Sequence, residues 1–320
     1  MPDKPTVLLT NPIHADGEAI LAPHVKLLVA PDTKPETLRA LAKDADGIIV
    51  RAKLPDDIVA HAPRLKGMVR HGVGLDFIPV AAATARGVAV ANLPGSNTTA
   101  VAEYVLSALL HLRRPLHQMD GLIRSVGWNS ARAIAEGFPE LRDSTLGILG
   151  VGTIGSRIAE VAGNGFGMKV LGTSRRTGRL PAAVEEVSLQ DLFARSDALV
   201  VCCALNDETR GLVSAALIAR MPRHAILVNV SRGPVVETAT LVEALKAGRL
   251  AGAALDVFDV QPLPHDSALF DCPNLLLTPH AAAITASSSR AMSVGAANEM
   301  LRILRGEAPL NLVNPGHKAA

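Results

Sequence analysis

Three short segments each follow an apolar run and each carries a side chain able to do acid-base or anion chemistry. They are Ser231-Arg232-Gly233, the stretch 256–262 that opens on Asp256 and ends in Gln261-Pro262, and Thr278-Pro279-His280. Arg232 offers a charged planar fork that fits a carboxylate and polarises a carbonyl. His280 can give or take a proton near neutral pH, and Gln261 can hold an imidazole in one orientation. Together they suit reduction of a 2-oxo acid: Arg232 on the carboxylate and carbonyl, His280 delivering a proton as hydride arrives.

The hydride donor is implied by a fourth stretch, Gly147-Ile148-Leu149-Gly150-Val151-Gly152-Thr153-Ile154-Gly155. It reads as the end of a buried strand, a glycine turn and the start of a helix whose Ile158, Val161 and Ala162 continue one apolar face. Gly150 allows the tight turn, Gly152 a close backbone approach to a pyrophosphate, and Gly155 close helix packing. The first helical residues, Thr153 and Ile154, bring N–H groups and the positive dipole end to the phosphates. Ala204 and Val230, at the ends of two later strands, complete this expected dinucleotide site together with Arg232 and His280. About twenty residues past the glycines, where NAD-binding chains present Asp or Glu to the ribose, stand Ser174, Arg175 and Arg176. A hydroxyl and two guanidinium groups suit the 2′-phosphate of NADP; the alternative is a solvated basic turn.

Two sets of elements must position these groups. Short apolar strands at 6–9, 25–29, 47–50, 68–70 and 88–91 alternate with helical stretches around Glu18, 36–42, 57–62 and 79–86, predicting a small parallel α/β domain. Arg51 and Arg70 end two of its strands, with Lys53 close by, and can either bind an anion or make surface ion pairs. His71-Gly72-Val73-Gly74-Leu75-Asp76 reads as a loop whose amides could cradle a carboxylate. A long helix is predicted over 98–119, with Val101, Val105, Leu109 and Leu112 on one face available to a dimer or to a core. After the glycines come strands at 168–173, 198–204, 225–230, 251–257 and 275–277, helices at 214–220 and 240–247, and a last helix at 285–305 that could return to the first domain.

At 320 residues, 48% hydrophobic and 19% charged, the chain is long enough for two soluble domains. A net charge of +2 and eight aromatic side chains argue against nucleic acid. The N-terminal residues lack the pattern of a signal peptide and no run has membrane-spanning length, so a cytoplasmic protein is expected. Cys202, Cys203 and Cys272 read as buried thiols, and no spacing suggests a metal site.

Over nearly its whole length the chain resembles the D-isomer-specific 2-hydroxyacid dehydrogenases, through residues 71–76, 97–103, 150–155, 229–233, 254–262 and 278–280. The resemblance implies an α/β protein of two doubly wound parallel-sheet domains. A Rossmann cofactor domain, 99–287, would be inserted in a flavodoxin-like substrate domain made of 1–98 and 288–320, with hydride transfer in the cleft and a homodimer built on the cofactor domain. It also implies that Val73 and Gly74 offer amides to the substrate carboxylate, that Arg51, Arg70 and Asn97 belong to the substrate set, and that Asp256 holds the nicotinamide carboxamide. The reading that follows is an NADP-preferring oxidoreductase of the CH–OH group, a glyoxylate or hydroxypyruvate reductase. One departure is Gln261, where the family usually has glutamate: a carboxylate would hold the His280 proton to higher pH and an amide cannot. A Gln-His pair with an asparagine like Asn97 also resembles formate dehydrogenases, though Arg51-Ala52-Lys53 lacks their apolar lining. The basic residues resemble those of phosphoglycerate dehydrogenases. Outside enzymes, an NAD(H)-sensing protein is the alternative.

Overall fold

A computed structural model describes residues 4–173, 178 and 180–318. The chain forms two compact units, Met1–Asn97 with Ile284–Ala320, and Thr98–Ala283; the expected limits were 98 and 288.

In the first unit β1 (Thr6–Leu9), β2 (Lys26–Val29), β3 (Gly47–Val50), β4 (Gly67–Arg70) and β5 (Ala89–Ala91) form a parallel sheet in the order 2-1-3-4-5. This is the flavodoxin-like order. Helices α1 (Ala15–Leu21), α2 (Pro35–Ala42) and α3 (Val80–Ala85) make crossovers. Successive strand residues feed opposite faces: Leu8, Ile48, Val50 and Met68 join one core, and Val7, Leu9, Ile49 and Val69 the other. Both faces are therefore buried, which is why the strands read as continuous apolar runs rather than alternating ones.

The second unit begins with α4 (Thr98–Arg113), α5 (Leu116–Ser125) and α6 (Trp128–Ala133). Then follow β6 (Thr145–Leu149), α7 (Thr153–Phe166), β7 (Lys169–Thr173), β8 (Glu185–Glu186), α8 (Leu189–Arg195) and β9 (Ala198–Val201). It ends with α9 (Ala215–Ile218), β10 (Ile226–Asn229), α10 (Thr238–Lys246), β11 (Gly252–Leu255) and β12 (Leu275–Leu277). Its parallel sheet runs 12-11-10-9-6-7-8. The winding reverses between β6 and β9, the position at which open α/β sheets bind ligands beyond their strand ends.

The last helix, α11 (Ala286–Leu304), belongs to the first unit. It packs so closely on the sheet that a Cβ at Gly47 would lie 2.3 Å from Met300 and one at Gly67 2.5 Å from Ile303. The tail beyond it covers the edge strand β5. Leu312 bridges Ala91, while buried Asn314 takes the Val90 N–H and donates to the Val88 carbonyl.

Three expectations change. The predicted helix over 98–119 is two helices, because Pro115 lacks an N–H and disfavours a helical Arg114. The apolar face of α4 is not an exposed dimer surface: Val101, Val105 and Leu109 are buried, the last two in the core of the second unit. Residues 57–62 hold only a 3-10 turn, Ile58–His61. β8 and α8 had gone unread, although Ser188 caps α8 by accepting the Asp191 N–H, a local N-terminal signal. No described helix is long and apolar enough to cross a membrane, and no group of three metal-ligating side chains occurs among the described residues.

Candidate active site

The glycine turn has the shape its spacing requires. Gly150 takes φ +99° and lies so near the segment after β9 that a Cβ would sit 2.6 Å from the Cys203 backbone; at Gly155 a Cβ would meet the Gly150 carbonyl at 2.6 Å. Gly152 differs, since a Cβ there meets nothing within 4 Å. It caps the 14-residue α7 with no side-chain hydrogen bond, so the N-terminal turn containing Thr153 and Ile154 faces open space from bare backbone. These features fit a dinucleotide pyrophosphate. Ser174, Arg175 and Arg176 lie outside the described residues.

The polar segments follow β10, β11 and β12, which are adjacent and parallel, so their C-terminal ends share one sheet edge. At about 4.8 Å per strand, the ends of β10 and β12 are about 10 Å apart. Asn229 shapes the first segment: its side chain accepts the Ser231 N–H and donates to the Arg232 carbonyl, both at 3.0 Å. The Ser231 hydroxyl donates to the Cys203 carbonyl at 2.5 Å, tying this segment to the end of β9, where Ala204 also lies. Val230 continues the ladder by donating to the Val201 carbonyl. Arg232 Nη1 donates to the Ser231 carbonyl at 2.7 Å. Gly233 is required because a Cβ would fall 2.0 Å from the backbone of Phe258, so the loops after β10 and β11 touch directly.

Asp256, 1% exposed at the end of β11, wraps the turn that carries His280. Its Oδ1 accepts from the Thr278 hydroxyl (2.6 Å) and the Ala281 N–H (2.7 Å), its Oδ2 from the Ala282 N–H (2.9 Å), and its carbonyl from the His280 N–H (2.8 Å). His280 is thereby held at φ +54°, a conformation uncommon for a residue with a side chain. Its Nδ1 lies 3.0 Å from Gln261 Oε1. An amide oxygen only accepts, so Nδ1 carries the proton and proton exchange with a ligand runs through Nε2. Neither this use of Asp256 nor any part for Tyr104, bonded to Thr278, was legible beforehand.

In the first unit the loop after β4 is held with its amides turned outward. The carbonyls of Gly72, Val73 and Gly74 accept from the Leu93 N–H (2.9 Å), Asn92 Nδ2 (2.8 Å) and Arg70 Nε (3.0 Å). A trans peptide points its N–H opposite to its carbonyl, so the Val73 and Gly74 N–H groups turn away from these inward partners. Arg70 braces this cradle: it also donates to the Val50 carbonyl at 2.7 Å and lies 4.5 Å from the centre of the Phe77 ring. Arg51 donates to the Pro12 carbonyl, and burial lowers its pKa. Buried His71 donates to Ser293 Oγ at 2.9 Å, and burial with the charges of Arg51 and Arg70 pushes its imidazole down to about 4, leaving it neutral. Asn97, which ends this stretch of the unit, has a buried Oδ1 with no partner among the described residues. Such an atom costs about 1–3 kcal/mol unless a ligand donor meets it.

Comparison with known proteins agrees with this geometry. Residues 106–282 match the D-isomer specific 2-hydroxyacid dehydrogenase, NAD binding domain. The chain is 36% identical to a glyoxylate reductase of Aeropyrum pernix, covering 97% of this chain and 96% of that one. It is 35% identical to a D-3-phosphoglycerate dehydrogenase of Methanocaldococcus jannaschii over 96% of this chain, but spans only 59% of that protein. An NADPH-dependent glyoxylate/hydroxypyruvate reductase of Sinorhizobium meliloti, solved with NADP and malonate, superposes with a TM-score of 0.86 at 29% identity, covering 98% of each chain. With both parallel sheets, the glycine turn and the three strand-end segments in place, this chain belongs to the D-isomer-specific 2-hydroxyacid dehydrogenases and is an NAD(P)-dependent oxidoreductase of the CH–OH group.

Proposed function

We propose that the chain reduces small 2-oxo acids of the glyoxylate and hydroxypyruvate type to D-2-hydroxy acids, with NADPH preferred to NADH. The observation that carries this is the placement of Arg232, Asp256 and His280 at the ends of three neighbouring parallel strands, with His280 already oriented by Gln261. The bound nicotinamide supplies hydride. Arg232 draws electron density from the substrate carbonyl, and the outward amides of Val73 and Gly74 receive its carboxylate. His280 passes a proton from Nε2 to the new alkoxide. Asp256 Oδ2, with one accepted bond, retains a lone pair for a carboxamide N–H. The cofactor preference is supported by Ser174-Arg175-Arg176 in the sequence and by the NADP bound to the Sinorhizobium meliloti relative. The test is oxidation of NADPH and NADH against glyoxylate, hydroxypyruvate, pyruvate, phenylpyruvate and phosphohydroxypyruvate. Turnover of the first two, faster with NADPH, is expected; tight cofactor binding with no turnover would identify a sensor instead, and turnover of phosphohydroxypyruvate alone a phosphoglycerate-type enzyme.

The protein is further proposed to act as a homodimer through the cofactor unit. α5 and α6 expose Leu116 (64%), Val126 (66%) and Trp128 (69%), and Met119, Ile123, Trp128 and Ala131 line an apolar hollow beside them. Contiguous apolar surface of this kind marks an interface. Trp128→Glu is expected to shift the protein from dimer to monomer in sedimentation equilibrium. A monomeric wild type would remove the proposal.

A further inference from the structure

Tyr104, the only tyrosine of the chain, projects from α4 onto the turn that carries His280. Its hydroxyl lies 2.7 Å from Thr278 Oγ1, and Thr278 lies 2.6 Å from Asp256 Oδ1. A carboxylate accepts, so Thr278 spends its one hydrogen on Asp256 and Tyr104 must be the donor to Thr278. The direction is therefore fixed: Tyr104 to Thr278 to Asp256. The far end of this chain is the carboxylate that also takes the Ala281 and Ala282 N–H groups, on either side of which the turn has few alternatives. Burial pushes the Tyr104 phenol above its ordinary value, with the Thr278 bond working against that shift and the Asp256 charge adding to it, so the donor keeps its proton at neutral pH.

We propose that Tyr104 is a positioning residue for the reaction: through Thr278 and Asp256 it couples α4 to the turn that aims His280. The inference rests on His280 being the proton donor. The ring of Tyr104 packs against the core of the second unit, so its hydroxyl is a fixed point referred to the body of that unit rather than to a loop. Losing the hydroxyl leaves Thr278 with an unmatched acceptor and one fewer constraint on a backbone held at positive φ. Tyr104 itself has no contact with cofactor or substrate in the proposed site.

Tyr104→Phe keeps the ring and should keep the melting temperature within a few degrees. It is expected to lower kcat about tenfold or more, since small misplacements of a reacting group have effects of that size. KM for the oxo acid and Kd for NADPH should stay within about twofold, and the solvent deuterium isotope effect on kcat should rise as proton delivery becomes slower. Thr278→Val should do the same, Thr278→Ser should restore activity, and the double variant Tyr104→Phe with Thr278→Val should be no worse than Thr278→Val alone, as links of one chain are not additive. His280→Asn is measured alongside. If His280→Asn is inactive while Tyr104→Phe turns over like wild type, or loses rate with an unchanged isotope effect, the coupling is overturned. If His280→Asn is itself active, the parent reading of the site is what fails.

Discussion

Replacing His280 with asparagine is expected to lower kcat for oxo acid reduction by about 10²–10⁴, the range for loss of a positioned general acid. Asparagine is the informative choice because position 280 sits at φ +54°. Alanine there would add about 1–2 kcal/mol of backbone strain, whereas asparagine tolerates the left-handed region. The Asp256 bonds that hold the turn come from backbone N–H groups and Thr278, none of which the substitution removes. A loss of rate therefore reports the imidazole and not the fold. Gln261→Glu gives the converse result. The carboxylate would favour the protonated ring, so the decline of kcat/KM for reduction at high pH should move upward by about one to three units. An unmoved limb in Gln261→Glu, or His280→Asn within threefold of wild type, would remove His280 from the chemistry.

How much of this was legible in the sequence depends on how local the signal is. The sheet strands were readable because strands buried on both faces are written as unbroken apolar runs, and 198–201 and 226–229 are such runs. The glycine turn was readable because its spacing is itself a local signal, Gly155 packing against the Gly150 carbonyl within the same turn, although Gly150 also meets Cys203 beyond β9. The break at Pro115 was also written in the chain and was outvoted by an apolar periodicity that continues past it. The hold of Asp256 on the His280 turn and the bond from Tyr104 were not readable, since they join residues 22 to 174 positions apart. The same holds for the carbonyl partners of the 72–74 loop, Asn92 and Leu93, which decide where its amides point. Residue type announced that a loop could cradle an anion; only tertiary hydrogen bonds determine that it faces outward.

Two glycine substitutions should separate packing from ligand approach within the same sheet edge. Gly233→Ala places a Cβ 2.0 Å from the Phe258 carbonyl carbon and 2.3 Å from the Asp259 nitrogen, both backbone atoms. Neither side can yield cheaply. Asn229 holds the Arg232 carbonyl, and the other loop is pinned at its start by Asp256, whose carboxylate is tied to the His280 turn. Restoring contact distance requires more than an ångström of separation, which moves Arg232 and Gln261 apart from their partners. The expected result is a loss of at least about 10² in kcat/KM together with several kcal/mol of stability. Gly152→Ala should behave in the opposite way. Its φ of −95° suits alanine and its Cβ meets nothing within 4 Å, so the melting temperature should barely change. Its cost should appear in cofactor affinity instead, as a rise of at least about tenfold in Kd for NADPH, because the added methyl occupies the side from which a pyrophosphate approaches the helix. Thermal melts and fluorescence titration of NADPH measure both variants. A Gly152→Ala protein that binds NADPH as wild type does would mean that the phosphates do not lie against this turn, and the dinucleotide site would have to be placed elsewhere on the edge.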